Sequence, residues 1–182
     1  MNRFQNDVAI SAVYGRCVEI GEAQLDVWNH TNNVCYVQWK QDVAVEHSDA
    51  LGWNSSRYLD SGAIWVVRSH WINYHKSTYK GDKLLIQTWI AEMKRASCLR
   101  RYRFLELPKN CDTAELDKKC RFANYETFKF PETALVATAE THWAFVSATN
   151  FRPVKVFPEL TEVFETVKDY DAEFPGETDG DA

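Results

Sequence analysis

The chain has 182 residues, enough for one domain with a real core and too few for two comfortable ones. Hydrophobic residues make up 45% and charged residues 26%, with seven Gly and five Pro, which excludes disordered, collagen-like and Gly/Pro-rich architectures. The net charge of −5 comes largely from the last stretch, where six acids and no base follow Lys168; the remainder is nearly neutral and offers no dominant basic face for a nucleic-acid backbone.

The opening MNRFQNDVAISAVYGR has no long apolar run, so neither a leader nor a spanning segment is expected there, and cytoplasmic placement is the expectation. Tyr14 to Leu25 has strand character, with Tyr14, Val18 and Ile20 on one parity and Cys17 and Glu19 on the other. After the polar stretch Asp26–Asn33, residues Val34 to Leu51 run without Gly or Pro and stop at Gly52. Val37, Ala44 and Leu51 share a stripe with Tyr36, Trp39 and Val43 beside it, which predicts a long, largely buried helix.

Four β-rich segments follow, Ala63–Tyr74, Asp82–Met93, Ser97–Leu107 and Lys119–Phe128, and a fifth, Ala134–Ala148, alternates from Leu135 to Phe145. The links at Lys94–Ala96 and Pro131–Thr133 are tight, and Pro108–Lys118 reads as a longer loop. Links this short favour antiparallel neighbours, because a parallel crossover needs a dozen or more residues. Pro158–Lys168 is expected to be a final helix, with Leu160, Val163, Phe164 and Val167 on one face. The class is α+β. One domain is expected over residues 1–168, followed by an acidic, solvated tail over 169–182.

Five cysteines, at 17, 35, 98, 111 and 120, are odd in number and lack metal-ligand spacing, so reduced thiols are expected; Cys111 and Cys120 could pair across their loop only in an oxidising compartment. There is no dinucleotide or phosphate-binding glycine loop, no serine-hydrolase elbow and no C-x-x-C or H-E-x-x-H. His70 and His75, five apart, fall on opposite faces of a strand, so no metal site is expected.

The informative stretch is Asp26 to Tyr36, Asp-Val-Trp-Asn-His-Thr-Asn-Asn-Val-Cys-Tyr. It sets a carboxylate directly before a helix amino terminus, whose first amides are unpaired and carry partial positive charge. Such amides can polarise a carbonyl and hold the oxyanion formed when it is attacked, while the carboxylate serves as nucleophile or as base to water. Residues of these types also serve as turn and helix caps, so spacing alone leaves a purely structural role open.

The motif Asp26-x-x-x-His30-x-Asn32-Asn33-x-x-Tyr36 resembles the strand-to-helix junction of hotdog-fold acyl thioesterases of the 4-hydroxybenzoyl-CoA thioesterase-like group. Val66-Val67-Arg68, Tyr74 and Gly81-Asp82-Lys83-Leu84 resemble that family's second strand and following turn, and Met93 to Ser97 the next turn. Leu135-Val136-Ala137, Trp143-Ala144-Phe145 and Arg152-Pro153 resemble its last strand and exit, so the likeness covers about residues 12 to 165. It implies a hotdog fold, a long central helix wrapped by a five- to six-stranded antiparallel sheet.

By the same resemblance Asp26, Asn33 and His30 are the expected catalytic residues, Asn33 through its backbone amide. Asn32, Val34, Tyr36, Val67, Lys94 and Arg95 are the expected substrate-binding residues, the last two at a turn that contacts coenzyme A phosphates in the family. Arg100 and Arg101 extend that basic run and would suit phosphates or an acidic carrier protein. Three positions depart from the family pattern: Glu22 and Gln24 stand where an aromatic and a first acid often precede the Asp, and Gln41 stands for a common helix Glu. The implied activity is hydrolysis of an acyl-CoA thioester by a homodimer or homotetramer, with no cofactor beyond the coenzyme A of the substrate and no nucleic-acid or membrane-spanning role. An acyl-carrier-protein thioesterase and a non-catalytic acyl-CoA binder are the alternatives. Glu46 and His47 could face a partner's site but read first as solvent-facing or core-satisfied, and Trp65, Trp71 and Trp89 could line an acyl pocket but read first as core.

Overall fold

A computed structural model describes residues 12–120 and 135–167, except the side chains of 119 and 120. Strand β1 spans Tyr14–Glu19, shorter than the expected Tyr14–Leu25 because a 3-10 turn follows at Glu22–Gln24, whereas helix α1 spans Asn33–Ala50, within one residue of its expected limits. Asn32 starts the helix by accepting the Val34 amide on its side chain, and Gly52, at φ +80°, lets the chain leave it. A second helix, α2 (Ser55–Asp60), capped by Asn54, was not expected. Strands β2 (Ala63–Tyr74), β3 (Lys83–Met93), β4 (Ser97–Leu107) and β5 (Leu135–Ser147) fall almost where the alternation puts them.

The stretch read as a loop before Lys118 instead holds helix α3 (Thr113–Cys120), begun by Asp112, whose carboxylate accepts the Ala114 and Glu115 amides. Lys119 and Cys120 are therefore helical rather than the start of a strand. The rest of that expected strand, the Pro131–Thr133 turn and the acidic tail lie outside the described residues. Cys17, Cys35, Cys98 and Cys111 are free thiols, and burial pushes that of Cys98 up to about 12. The last helix, α4 (Pro158–Val163), is shorter than expected, because beyond it the Val167 amide donates to Ile90 O and the chain joins the sheet.

All strand pairs are antiparallel, in the order β1-β3-β4-β5-β2. Sequence neighbours β2 and β3 are thus not neighbours in space: residues 75–82 carry the chain from one edge of the sheet back to β3. On this route the Thr31 amide donates to Thr78 O at 2.9 Å, tying the crossover to the start of α1.

Period-two alternation splits β3 between two cores. Leu84, Ile86 and Ile90 face α1 with Tyr102, Phe104 and Phe145, while Leu85 and Trp89 face the other side. The buried face of α1 is Tyr36, Trp39, Lys40, Val43, Ala44 and His47. It is centred on Val43 rather than on the expected Val37 stripe, since Val37 lies at the surface, and two polar residues occupy core positions. α3 packs on β1, where Asp117 accepts the Cys17 amide at 2.8 Å. Among the described residues, no strand pairs with the outer edge of β2.

Candidate active site

Between β1 and α1 the chain makes a tight hairpin closed by a bridge between Leu25 and Thr31. The Asp26 amide donates to His30 O at 2.7 Å and the Asn29 amide to Asp26 O at 3.1 Å, with Asn29 at φ 63°, a conformation asparagine tolerates better than most residues. Asp26 Oδ1 accepts two amides, from Trp28 at 2.9 Å and His30 at 3.0 Å. Both bonds use one oxygen, so the half-buried carboxylate is oriented while Oδ2 takes part in neither.

The hairpin delivers the chain into the first turn of α1. The Val34 amide is occupied by Asn32 Oδ1 at 3.0 Å, whereas the Asn33 amide has no partner among the described residues. The Asn33 amide, expected to face an oxyanion, thus keeps its hydrogen available at the electropositive end of an 18-residue helix. One turn on, Tyr36 is buried, and its hydroxyl lies 2.7 Å from Thr78 Oγ1, which in turn lies 2.7 Å from Thr31 Oγ1. Burial pushes the Tyr36 phenol up, against the hydrogen bond with Thr78.

These groups line one cavity of about 360 Å³: Asp26, His30, Asn33 and Tyr36 from the hairpin and α1, Thr31 behind them, and Tyr74 to Thr78 from the end of β2 and its crossover. The His75-Lys76-Ser77-Thr78 side of the cavity was not anticipated. Its only signal in the sequence is a polar run between a strand and Gly81, and polar runs of that kind mark turns of every sort. Within it, His75 Nε2 lies 3.1 Å from Thr138 Oγ1, and Lys76 pairs with Glu106, which raises its ammonium pKa. The exposed His30 ring meets the edge of Tyr79.

Other expected residues lie away from this cavity in a single chain. Asn32 caps the helix, Val34 is 70% exposed, and Val67 is surface-exposed on edge strand β2 beside a bulge. Lys94, paired with Glu92 at 3.0 Å, and Arg95 sit at the β3–β4 turn, on the order of 30 Å of strand from the crossover. Arg100 and Arg101 are not part of a basic surface there. Strand alternation turns Arg100 inward, where it donates to His47 Nδ1 at 3.0 Å, and turns Arg101 to the other face, where it meets Glu140 at 2.8 Å.

His47 is core-satisfied. It stacks on Tyr14 and is held neutral well below the ordinary histidine pKa, by burial first and then by Arg100. Glu46 pairs with Arg16 at 3.0 Å. Trp89 is buried with Trp71 beside it, whereas Trp65 lines a second cavity of about 350 Å³ around the carboxyl-terminal half of α1. His70 lies 3.0 Å from Thr141 Oγ1, and among the described residues no cluster of His, Cys, Asp or Glu could hold a metal ion. No described helix is long and apolar enough to cross a membrane.

Residues 12–118 match the family model of the acyl-ACP thioesterase N-terminal domain. The chain belongs to this family. The matched span includes the Asp26 hairpin, α1 and the crossover with Thr78, all of the cavity described above. No curated protein matches the chain in sequence.

Solved structures of thioesterases share the fold at low identity. A Lactobacillus plantarum protein assigned provisionally as an oleoyl thioesterase superposes with a TM-score of 0.69 and 17% identity, over 96% of this chain and 58% of its own. This chain thus spans little more than half of that protein. A Staphylococcus aureus DHNA-CoA thioesterase gives 0.63 and 18%, over 84% of this chain and 88% of its own. A 4-hydroxybenzoyl CoA thioesterase mutant, solved with 4-hydroxybenzoyl CoA, gives 0.65 and 13%, over 85% of this chain and 100% of its own. At these identities the likeness establishes the hotdog fold.

Proposed function

We propose that this member of the acyl-ACP thioesterase family hydrolyses an acyl thioester, with coenzyme A as the carrier, at the Asp26 cavity. The observation that carries the reading is the pairing of an oriented carboxylate with the unpaired Asn33 amide in one cavity. Asp26 removes a proton from water, and the resulting hydroxide attacks the thioester carbonyl carbon; alternatively Asp26 Oδ2 attacks it directly. The negative charge that develops on the carbonyl oxygen is met by the Asn33 N–H and the positive end of α1. The carbon–sulfur bond then breaks and the thiolate takes up a proton; the water route gives the free acid directly, whereas direct attack leaves an anhydride on Asp26 that a water molecule hydrolyses to the free acid and the Asp26 carboxylate. Tyr36, held by Thr78, walls the acyl side, and His30 flanks the mouth. The reaction needs no cofactor of its own.

Lys94, Arg95 and Val67 reach such a site only from a second copy, so the reading includes a homodimer or homotetramer. The twelve-residue edge of β2, with no described partner and with Val67 and Tyr74 at the surface, supports it. Acyl carrier protein is the second reading for the carrier, favoured by the family match itself. Thiol release from a panel of short, long and aromatic acyl-CoAs, alongside the same acyl groups on carrier protein, tests both. Turnover of the CoA esters supports the proposal, turnover of the carrier esters alone moves the carrier, and release from neither rejects hydrolysis.

A further inference from the structure

The second cavity lies around the other end of α1 from Asp26 and shares no lining residue with the first. Its walls are mostly apolar, with Ile90, Cys98 and Phe164 inside and the exposed Val45 and Leu59 at the mouth. Polar residues also line it, Gln41, Ser48, Asp49 and Ser55 among them, and the one buried charge is Arg100, 4% exposed. Its Nη1 donates to His47 Nδ1 at 3.0 Å and Thr88 Oγ1 at 3.3 Å, and the group lies 5.7 Å from the Phe164 ring centre. Every one of these partners is neutral. No carboxylate pairs with Arg100 among the described residues; Asp49, which also lines the cavity, is an exposed helix residue at the mouth.

A buried cation without an anion is costly unless something supplies the missing charge. The indole N–H of Trp53, which lines the same cavity, is likewise buried without an acceptor. A buried cation without a counter-anion at a mostly apolar wall calls for a ligand that is an anion at one end and apolar along the rest. We propose that this cavity binds an apolar monocarboxylate, its head on Arg100 and its hydrocarbon among the aromatic side chains. About 350 Å³ holds on the order of twelve water-sized groups, the size of a medium-chain fatty acid or a substituted aromatic acid. Free acids are also what thioester hydrolysis releases, but the site stands on its own geometry and does not require that reading.

Calorimetric titration of the full chain with decanoate and with decanol tests this, since the two differ in the head group alone. Decanoate is expected to bind at least about tenfold more tightly than decanol, the discrimination of one charged hydrogen bond. Arg100→Gln should remove that preference, Ser48→Phe, which fills the cavity from α1, should weaken both ligands, and Asp26→Asn should leave decanoate binding intact. Equal affinity for the two ligands, no saturable binding of decanoate, or loss of binding in Asp26→Asn would each overturn the proposal. If Arg100→Gln does not fold, the acid–alcohol comparison in the native chain and the Ser48→Phe titration decide it. No arm depends on turnover, so failure here and failure of the hydrolase reading are separate results.

Discussion

Asp26 Oδ1 accepts the backbone N–H of His30 at 3.0 Å, so the proposed catalytic carboxylate also builds the turn that aims it. Structure and chemistry can be separated because an Asn side chain keeps the accepting oxygen and loses the charge. Asp26→Asn is expected to fold with native stability and lose about a hundredfold or more in kcat/KM. Asp26→Ala should lose activity and also about 1 kcal/mol of stability, since two turn amides lose their acceptor. An active, stable Asp26→Asn would remove this residue from the chemistry.

Tyr36 and Thr78 link α1 to the crossover through a buried chain of hydroxyls. Tyr36→Phe should cost about 1 kcal/mol in urea unfolding with an unchanged m-value. Thr78→Val should cost more, about 2 kcal/mol, because it leaves the buried Tyr36 hydroxyl without its partner and sets a methyl against Thr31 Oγ1, which keeps only its bond to Thr78 O. Equal losses would mean that the chain of hydroxyls is not coupled.

Lys40 is fully buried on α1 with no hydrogen-bond acceptor, and burial lowers its pKa to about 8. The unfolded chain holds this proton to about 10.5, so between these values the unfolded state binds more protons and stability rises with pH. Lys40→Met should therefore be the more stable protein at pH 7, by about 3 kcal/mol at most, with the gap closing through that window. Paired denaturation curves from pH 7 to 10.5 measure it, and a gap that is flat across the range contradicts the assignment.

Arg101 and Glu140 form a buried pair on the outer face of the sheet, each side chain 10% exposed. Removing one partner leaves the other charge stranded, so Arg101→Met should cost about 3–5 kcal/mol. Adding Glu140→Leu should recover most of that loss. A double-mutant cycle showing simple additivity would indicate that the two groups do not interact.

The strands, the central helix and the Asp26 motif were legible because each is local. Alternation along β2 and β4, the run free of Gly and Pro before Gly52, and an acid beside a helix start are each patterns in one short contiguous stretch of chain. Helix α3 was hidden because its single turn-starting acid, Asp112, resembles any loop residue. Tertiary packing decided the rest. It brought Thr78 under α1 through a crossover between strands that are not neighbours in space, and it turned Arg100 and Arg101 from an expected basic surface into two buried groups on opposite faces. A charged residue's fate depends on which face of the sheet it meets and on what lies there. In this fold those partners, His47 and Glu140, are supplied by segments 53 and 39 residues away.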